Sequence, residues 1–271
     1  MNRFHMWFPG GIVLGALISK FMTDASMTWQ AQIWIILIPT IIYAVLFFGQ
    51  TFPKPRIQEN STMDNFKAML NPLYLFMAAC MALTAISEFG PQQWVGPILA
   101  KAGASPMLIL ALVTGLMAVG RYFAGPLIQK LNTVGVLLGS AMFGLIGIYL
   151  MSTMDGPMLY VAAVFYALGI CYFWPNMIGF IAENMPQTGA LGLSIMGGIG
   201  MFSSSWFQPI IGGWIESNKV IAEAGGLVGD AADLAAGQST LSNMMIFPAI
   251  LILAFLGLYI FMKRQKTLSP A

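Results

Sequence analysis

Glu88 has more scope for chemistry than any other side chain in this sequence. It follows a charge-free stretch, 68–87, stands two residues before Gly90-Pro91, and is followed closely by Gln92, Gln93 and Trp94. A carboxylate inside an apolar run can carry a proton, accept hydrogen bonds from hydroxyls, or persist as a neutral buried acid. A second polar and aromatic group, Tyr172-Phe173-Trp174-Pro175-Asn176, interrupts the apolar run 156–182. Amides offer donors and acceptors, and aromatic faces cover the apolar side of a sugar-like ring. Aromatic residues also fill space in any membrane core, so both readings stand at this point. The remaining reactive inventory is thin: one histidine, His5, and two distant cysteines, Cys80 and Cys171. A Ser-His-Asp set, a phosphate-binding glycine loop or a metal cluster cannot be assembled from these residues, so neither cofactor nor metal is expected. A membrane-bound transferase would need a partner for Glu88, and the sequence places no base beside it.

The elements that carry these residues follow from composition. Of 271 residues, 58% are hydrophobic and 8% charged, with a mean hydropathy of +0.78. Soluble domains carry roughly a quarter charged residues, so the solvent for most of this surface is lipid. Charged residues are absent from 25–53, 68–87, 102–120, 131–154, 156–182, 184–215 and 234–262. A bilayer crossing needs ~20 mostly apolar residues, and Arg3 to Asp24 adds a weaker run. Eight transmembrane helices are expected. Outer-membrane strands would alternate apolar and polar residues, and Ile33-Trp34-Ile35-Ile36-Leu37-Ile38 does not. The net charge of +2 implies no nucleic-acid partner.

Distribution of cations orients the chain. Arg3, Lys54, Arg56, Lys67, Arg121, Lys130, Lys263, Arg264 and Lys266 fall on one side in the eight-span reading, and Lys20, Lys101 and Lys219 on the other. The positive-inside rule makes the first side cytoplasmic, with both termini there. Residues 53–67, with Pro53 and Pro55, form the longest polar link and the boundary between an amino-terminal pair of helices, 1–52, and a six-helix unit, 68–271. Gly11 and Gly15 share a helical face on which a neighbour could approach closely, as do Gly135 and Gly139.

The six spans after the link divide into two threes, and the first of each three is interrupted by proline, at Pro91 and at Pro175. Paired interrupted helices at corresponding positions point to a solute site at the midplane of a transporter. Glu88, Gln93, Trp94 and Asn176 are therefore expected to line one cavity.

Gly120-Arg121-Tyr122-Phe123-Ala124-Gly125-Pro126, running to Lys130, reads as a tight basic turn between two spans. It resembles the cytoplasmic turn signature of the major facilitator superfamily. Three further stretches resemble the fucose permease-like branch of that superfamily: Asn2-Arg3-Phe4-His5-Met6-Trp7-Phe8-Pro9-Gly10, Ser87-Glu88 through Trp94, and Phe173-Trp174-Pro175-Asn176-Met177-Ile178. The glycine-dense run Met196-Gly197-Gly198-Ile199-Gly200 with Gln208-Pro209 and Gly212-Gly213 extends the match. The resemblance implies an all-α membrane protein with a partial major facilitator fold, corresponding to helices five to twelve of twelve. It implies a bacterial inner-membrane symporter that moves a sugar with a proton. By the resemblance His5 and Glu88 occupy solute-facing positions; with Gln92, Gln93, Trp94, Tyr172 and Asn176 from the two breaks they are the expected solute site, and Arg121, Lys130 and Glu183 the expected cytoplasmic gate, with Arg121 contacting Glu183. The branch carries its proton-coupling carboxylates in the first and fourth helices, which this sequence does not contain, so an amino-terminally truncated copy is the expectation. Transport of an organic anion or drug, or a non-transporting membrane role, are the alternatives. Against an anion stands the expectation that no cation lies deep in a span.

Overall fold

The structure is a computed structural model that describes residues 1–51, 61–101 and 105–268. Most of the polar link 53–67, including Lys54 and Arg56, lies outside the described residues, as does Lys266 as a side chain. The described residues form helices and no strands: α1 (Asn2–His5), α2 (Trp7–Asp24), α3 (Trp29–Trp34), α4 (Leu37–Phe47), α5 (Thr62–Met69), α6 (Pro72–Ala100), α7 (Pro106–Tyr122), α8 (Ala124–Thr153), α9 (Met158–Ile170), α10 (Phe173–Asn184), α11 (Gly189–Ala224), α12 (Asp230–Met244) and α13 (Ile246–Leu268). The short α5 starts with a capping box in which Ser61 and Asp64 satisfy each other's backbone donors, which fixes where the chain re-enters helix after the link.

Seven segments are long and apolar enough to cross a bilayer, and Pro106–Tyr122 is a shorter apolar helix. The eighth crossing is completed in an unexpected place. Inside α8, Asn132 adopts φ 56°, ψ 170°, a left-handed backbone conformation that asparagine tolerates better than most residues. Its side-chain oxygen accepts from the Gly135 amide at 3.0 Å, which caps the helix that follows. The chain therefore reverses at Asn132 rather than at Gly120–Lys130. Residues 106–131 make one crossing through a mild irregularity at Phe123 (φ −92°, ψ 15°), and 133–153 make the next. The basic stretch is not a turn but the middle and inner part of a span.

The two ends of the bundle are defined by their contacts. Asn132, Glu183, Asn184 and Lys263 surround one cleft, and Asn65 lies against Gly189. At the opposite end Lys101 pairs with Asp230, the Ser105 amide donates to the Tyr160 hydroxyl at 3.2 Å, and Gln238 donates to Asp155 at 3.0 Å. An α-helix rises ~1.5 Å per residue, so Arg121 lies ~16 Å from the reversal at Asn132 and ~22 Å from Pro106. That is the interior of the membrane, and Arg121 no longer counts among the cations that mark a side.

Close packing inside the bundle depends on backbone contact between α8 and α9. A Cβ on Gly169 would fall 2.2 Å from the Gly144 nitrogen, and one on Gly147 would fall 2.3 Å from the Tyr166 nitrogen. By contrast, a Cβ added at Gly11, Gly15 or Gly139 would meet nothing within 4 Å, so the close approach expected at these glycines does not occur. The core collects Tyr74, Met77, Met81, Leu137, Ile148, Tyr166, Phe173, Phe180 and Phe255 between α6, α8, α9, α10 and α13. Outside it, α1 and α2 pack on α7, while no residue of α3 or α4 is buried. The α3–α4 rod is tied to α2 by Ser19, which donates to Gln32 at 2.7 Å, and by Gln32, which donates to Thr23 at 3.1 Å.

Candidate functional site at the centre of the bundle

Proline cannot donate the backbone hydrogen bond that would reach the carbonyl four residues earlier. Pro91 thus frees the carbonyl of Ser87, and Pro175 frees that of Cys171. Both are claimed by side chains from neighbouring helices. The Tyr166 hydroxyl on α9 lies 3.1 Å from the Ser87 oxygen and 2.6 Å from the Glu88 oxygen. Arg121 Nε on α7 donates to the Cys171 oxygen at 2.7 Å. The consequences for the helices differ. α6 runs unbroken from Pro72 to Ala100, so Gly90-Pro91 does not interrupt it as expected, and Gln208 Nε2 donates to the Phe89 carbonyl at 3.2 Å as further support. At Pro175 the helix does part, with Cys171 and Tyr172 separating α9 from α10.

Around these two carbonyls stands a buried polar cluster. Arg121 is 1% exposed and Glu88 2%. Arg121 Nη2 is 3.5 Å from Glu88 Oε1, and Nη1 donates to the backbone oxygen of His5 at 3.2 Å. One guanidinium therefore joins α7 to the α9–α10 break, to α6 and to α1. Its position is allowed by Gly120, where a Cβ would meet Cys171 Sγ at 2.7 Å, and is braced by the Tyr172 hydroxyl, which donates to the Gly120 oxygen at 3.1 Å. One helical turn before His5, Asn2 Nδ2 donates to Asn176 Oδ1 at 2.7 Å, both side chains being buried. Glu88 Oε2, Asn2 Oδ1 and Asn176 Nδ2 are buried without a hydrogen-bond partner. A buried polar atom left unpaired costs ~1–3 kcal/mol, and three of them stand in this one cluster.

The residues expected to share one cavity separate onto two faces. Glu88, Asn176 and Tyr172 belong to the cluster around Arg121. Gln92, one turn beyond Glu88, faces α7 and lies 3.7 Å from Met117 Sδ. Trp94 turns the other way, donating from Nε1 to Gln208 on α11 at 2.8 Å and lying against Gly212, and Gln93 is exposed. His5 contributes its carbonyl, while its ring Nδ1 lies 3.2 Å from the Met1 oxygen. The expected Arg121–Glu183 contact is absent because the two residues sit at different depths: Glu183 is an exposed residue at the end of α10, and Lys130 is exposed two residues before the reversal. Arg121 finds Glu88 instead. The sequence nevertheless carries a signal. Pro106 to Val119 spans only 14 residues, ~21 Å of helix against a hydrocarbon core of ~30 Å, so the crossing has to continue through Arg121. Among the described residues, no group of three or more His, Cys, Asp or Glu could hold a metal.

A family model for the Major Facilitator Superfamily matches residues 1–208. This chain belongs to that superfamily. Neither the curated proteins nor the solved structures contain a match to it. Members of the family carry small solutes across membranes and are transporters rather than enzymes. The protein is thus an integral, multi-pass membrane transporter of small solutes.

Proposed function

We propose that this transporter moves a small hydroxylated solute, of sugar type, together with a proton, and that the solute binds at the cluster formed by Glu88, Arg121, Asn2 and Asn176. The observation that carries this reading is the set of buried, unpartnered atoms, two acceptors (Glu88 Oε2 and Asn2 Oδ1) and one donor (Asn176 Nδ2). Hydroxyl groups donate and accept at once, and so can satisfy a mixed set of this kind. The edge-to-face pair Phe89–Trp174, with ring centroids 5.8 Å apart, supports an apolar wall nearby. The fucose permease-like branch is the reading that the sequence stretches favour.

In this account residues 1–52 and 68–271 belong to two lobes joined by 53–67, and the site lies at their junction, where α1 meets α7 and α10. Alternating access would part the lobes by breaking the Arg121–His5 and Asn2–Asn176 bonds, and solute would enter where they had been. The cations Lys67, Lys130, Lys263 and Arg264 support an orientation with that end in the cytoplasm of a bacterial cell and both termini inside.

Uptake into proteoliposomes loaded with the 271-residue chain tests the reading. Labelled hexoses should accumulate when an inward proton gradient is imposed and should not when it is collapsed. Accumulation that ignores the gradient, or no hexose or hexose-acid uptake at all, contradicts it.

A further inference from the structure

Resting on that reading of the site, we infer that the solute is a hydroxylated carboxylate, a sugar acid rather than a neutral sugar, and that it binds by exchanging places with Glu88 on Arg121. The expectation against an anion depended on having no cation deep in a span, and Arg121 is deep. The guanidinium is held unequally. Its Nε makes a short bond of 2.7 Å to the Cys171 carbonyl, whereas its outer fork makes a 3.2 Å bond to the His5 carbonyl and a 3.5 Å approach to Glu88. Ordinary N–H···O bonds fall at ~2.7–3.2 Å and charge-assisted pairs at the short end. The Nε contact therefore fixes the guanidinium in place, and the two outer nitrogens are weakly satisfied. Those nitrogens form the fork that a carboxylate grips with two parallel hydrogen bonds.

The exchange has a defined charge balance. With Glu88 ionised, Arg121 and Glu88 are neutral together. A solute carboxylate that takes Nη1 and Nη2 releases the His5 oxygen and Glu88 Oε1 and adds one negative charge. Two carboxylates cannot share one arginine in a dry site without one of them binding a proton. One proton from water adds to Glu88, and the loaded site is neutral again: one anion and one proton per cycle. Among the described residues Glu88 is the one carboxylate in the cluster, and the His5 imidazole, whose backbone carbonyl also meets Arg121, turns its Nδ1 to the Met1 oxygen at 3.2 Å. Facing Glu88 are Arg121 on α7, the Tyr166 hydroxyl on α9 and the Cys171 thiol, while α10 brings Asn176, and α11, α12 and α13 carry no charged residue in 189–215 or 234–262. Once protonated, Glu88 can donate to a solute hydroxyl, and Asn2 and Asn176 can serve the remaining hydroxyls. Release of the His5 carbonyl is part of the same exchange, so solute binding would loosen α1 from α7 at the step where the lobes must part.

The test is calorimetric titration of the full chain in lipid nanodiscs with four hexoses and the four uronates that differ from them only at C6. Uronates should bind at least tenfold more tightly than their hexoses, and titrations in buffers of different ionisation enthalpy should show about one proton taken up per uronate. Glu88→Gln should keep uronate binding but abolish proton uptake. The neutral pair Glu88→Gln with Arg121→Gln, which leaves no unpaired charge to unfold the chain, should erase the uronate preference, bringing the ratio of uronate to hexose affinity to within threefold of one. Hexoses binding as tightly as uronates, or uronates binding without proton uptake, overturn the inference and leave the parent reading in place. Binding by neither series overturns both.

Discussion

The helix pair 2–47 and the bundle 62–264 are equally apolar by sequence, yet they are held together in different ways. In α2, α3 and α4 the side chains of Phe8, Leu14, Ile33, Ile38, Ile42 and Leu46 are exposed, and the ties between these helices are a few hydroxyl and amide bonds. In the bundle, α8 and α9 touch backbone to backbone at Gly144, Gly147 and Gly169, and an ion pair is sealed among α6, α7 and α9. In a lipid solvent, apolar character alone draws no helix to another, because lipid tails are as apolar as leucine. What separates the two regions is where small residues permit close contact and where polar groups find one another.

The largest loss of stability is expected at the ion pair. Arg121→Leu leaves the Glu88 carboxylate buried without a partner, and losing one member of a buried pair costs ~3–5 kcal/mol. Equilibrium unfolding in mixed micelles should register that loss, and substitution of both partners by glutamine should restore much of it. An equal loss for a single substitution in α4, such as Ile42→Ala, would erase the distinction between the regions.

Glycine substitutions should have the next largest effect. Gly169→Ala brings a methyl 2.2 Å from the Gly144 backbone, where nothing can rotate away, and overpacking of this kind costs ~1–3 kcal/mol. Gly11→Ala has open space around it and should be neutral or gain up to ~1 kcal/mol from helix propensity. Measured side by side, only Gly169→Ala should lose stability, and a loss of similar size at both would count against the packing described for α2.

A smaller effect is expected at the amide pair. Asn176→Ala leaves Asn2 unpaired and should cost ~1 kcal/mol. Its larger consequence should be on transport, because the lost donor belongs to the proposed solute site. The smallest effect is at the outer rim, where Lys101 pairs with Asp230 in solvent. Asp230→Asn should leave stability unchanged within error, since solvent-exposed ion pairs contribute little and are screened by salt.

Hydropathy and proline placement make much of this molecule legible from its sequence. The charge-free stretches mark the crossings, and Pro91 and Pro175 mark the two carbonyls around which the polar cluster forms. The short run before Arg121 is the one signal of its depth, and it is outweighed because Gly120, Gly125 and Pro126 look like turn residues, and a cation beside them looks like the edge of a membrane. Within a crossing the same glycine serves another purpose, admitting Cys171 and Tyr172 against α7. The true reversal rests on a single left-handed asparagine, Asn132, followed by threonine and a new apolar run, a weak signal beside Gly-Pro. The pairing of Arg121 with Glu88 and the parting of Trp94 from Asn176 are tertiary facts. They depend on how α6 is rotated against α7 and α11, which the pattern along one helix does not specify.

The depth of residue 121 is the claim on which the rest depends, and cysteine accessibility measures it directly. Single cysteines placed along 119–134, with position 121 replaced in the Glu88→Gln background so that no charge is left unpaired, can be exposed to a membrane-impermeant maleimide from each side of sealed vesicles. Labelling should begin at about Lys130 and be strong at Asn132, from the side that carries Lys263, while position 121 reacts at least tenfold more slowly than 132 from either side. Labelling at 121 as fast as at 132, from that same side, would return the arginine to a surface turn and contradict the account.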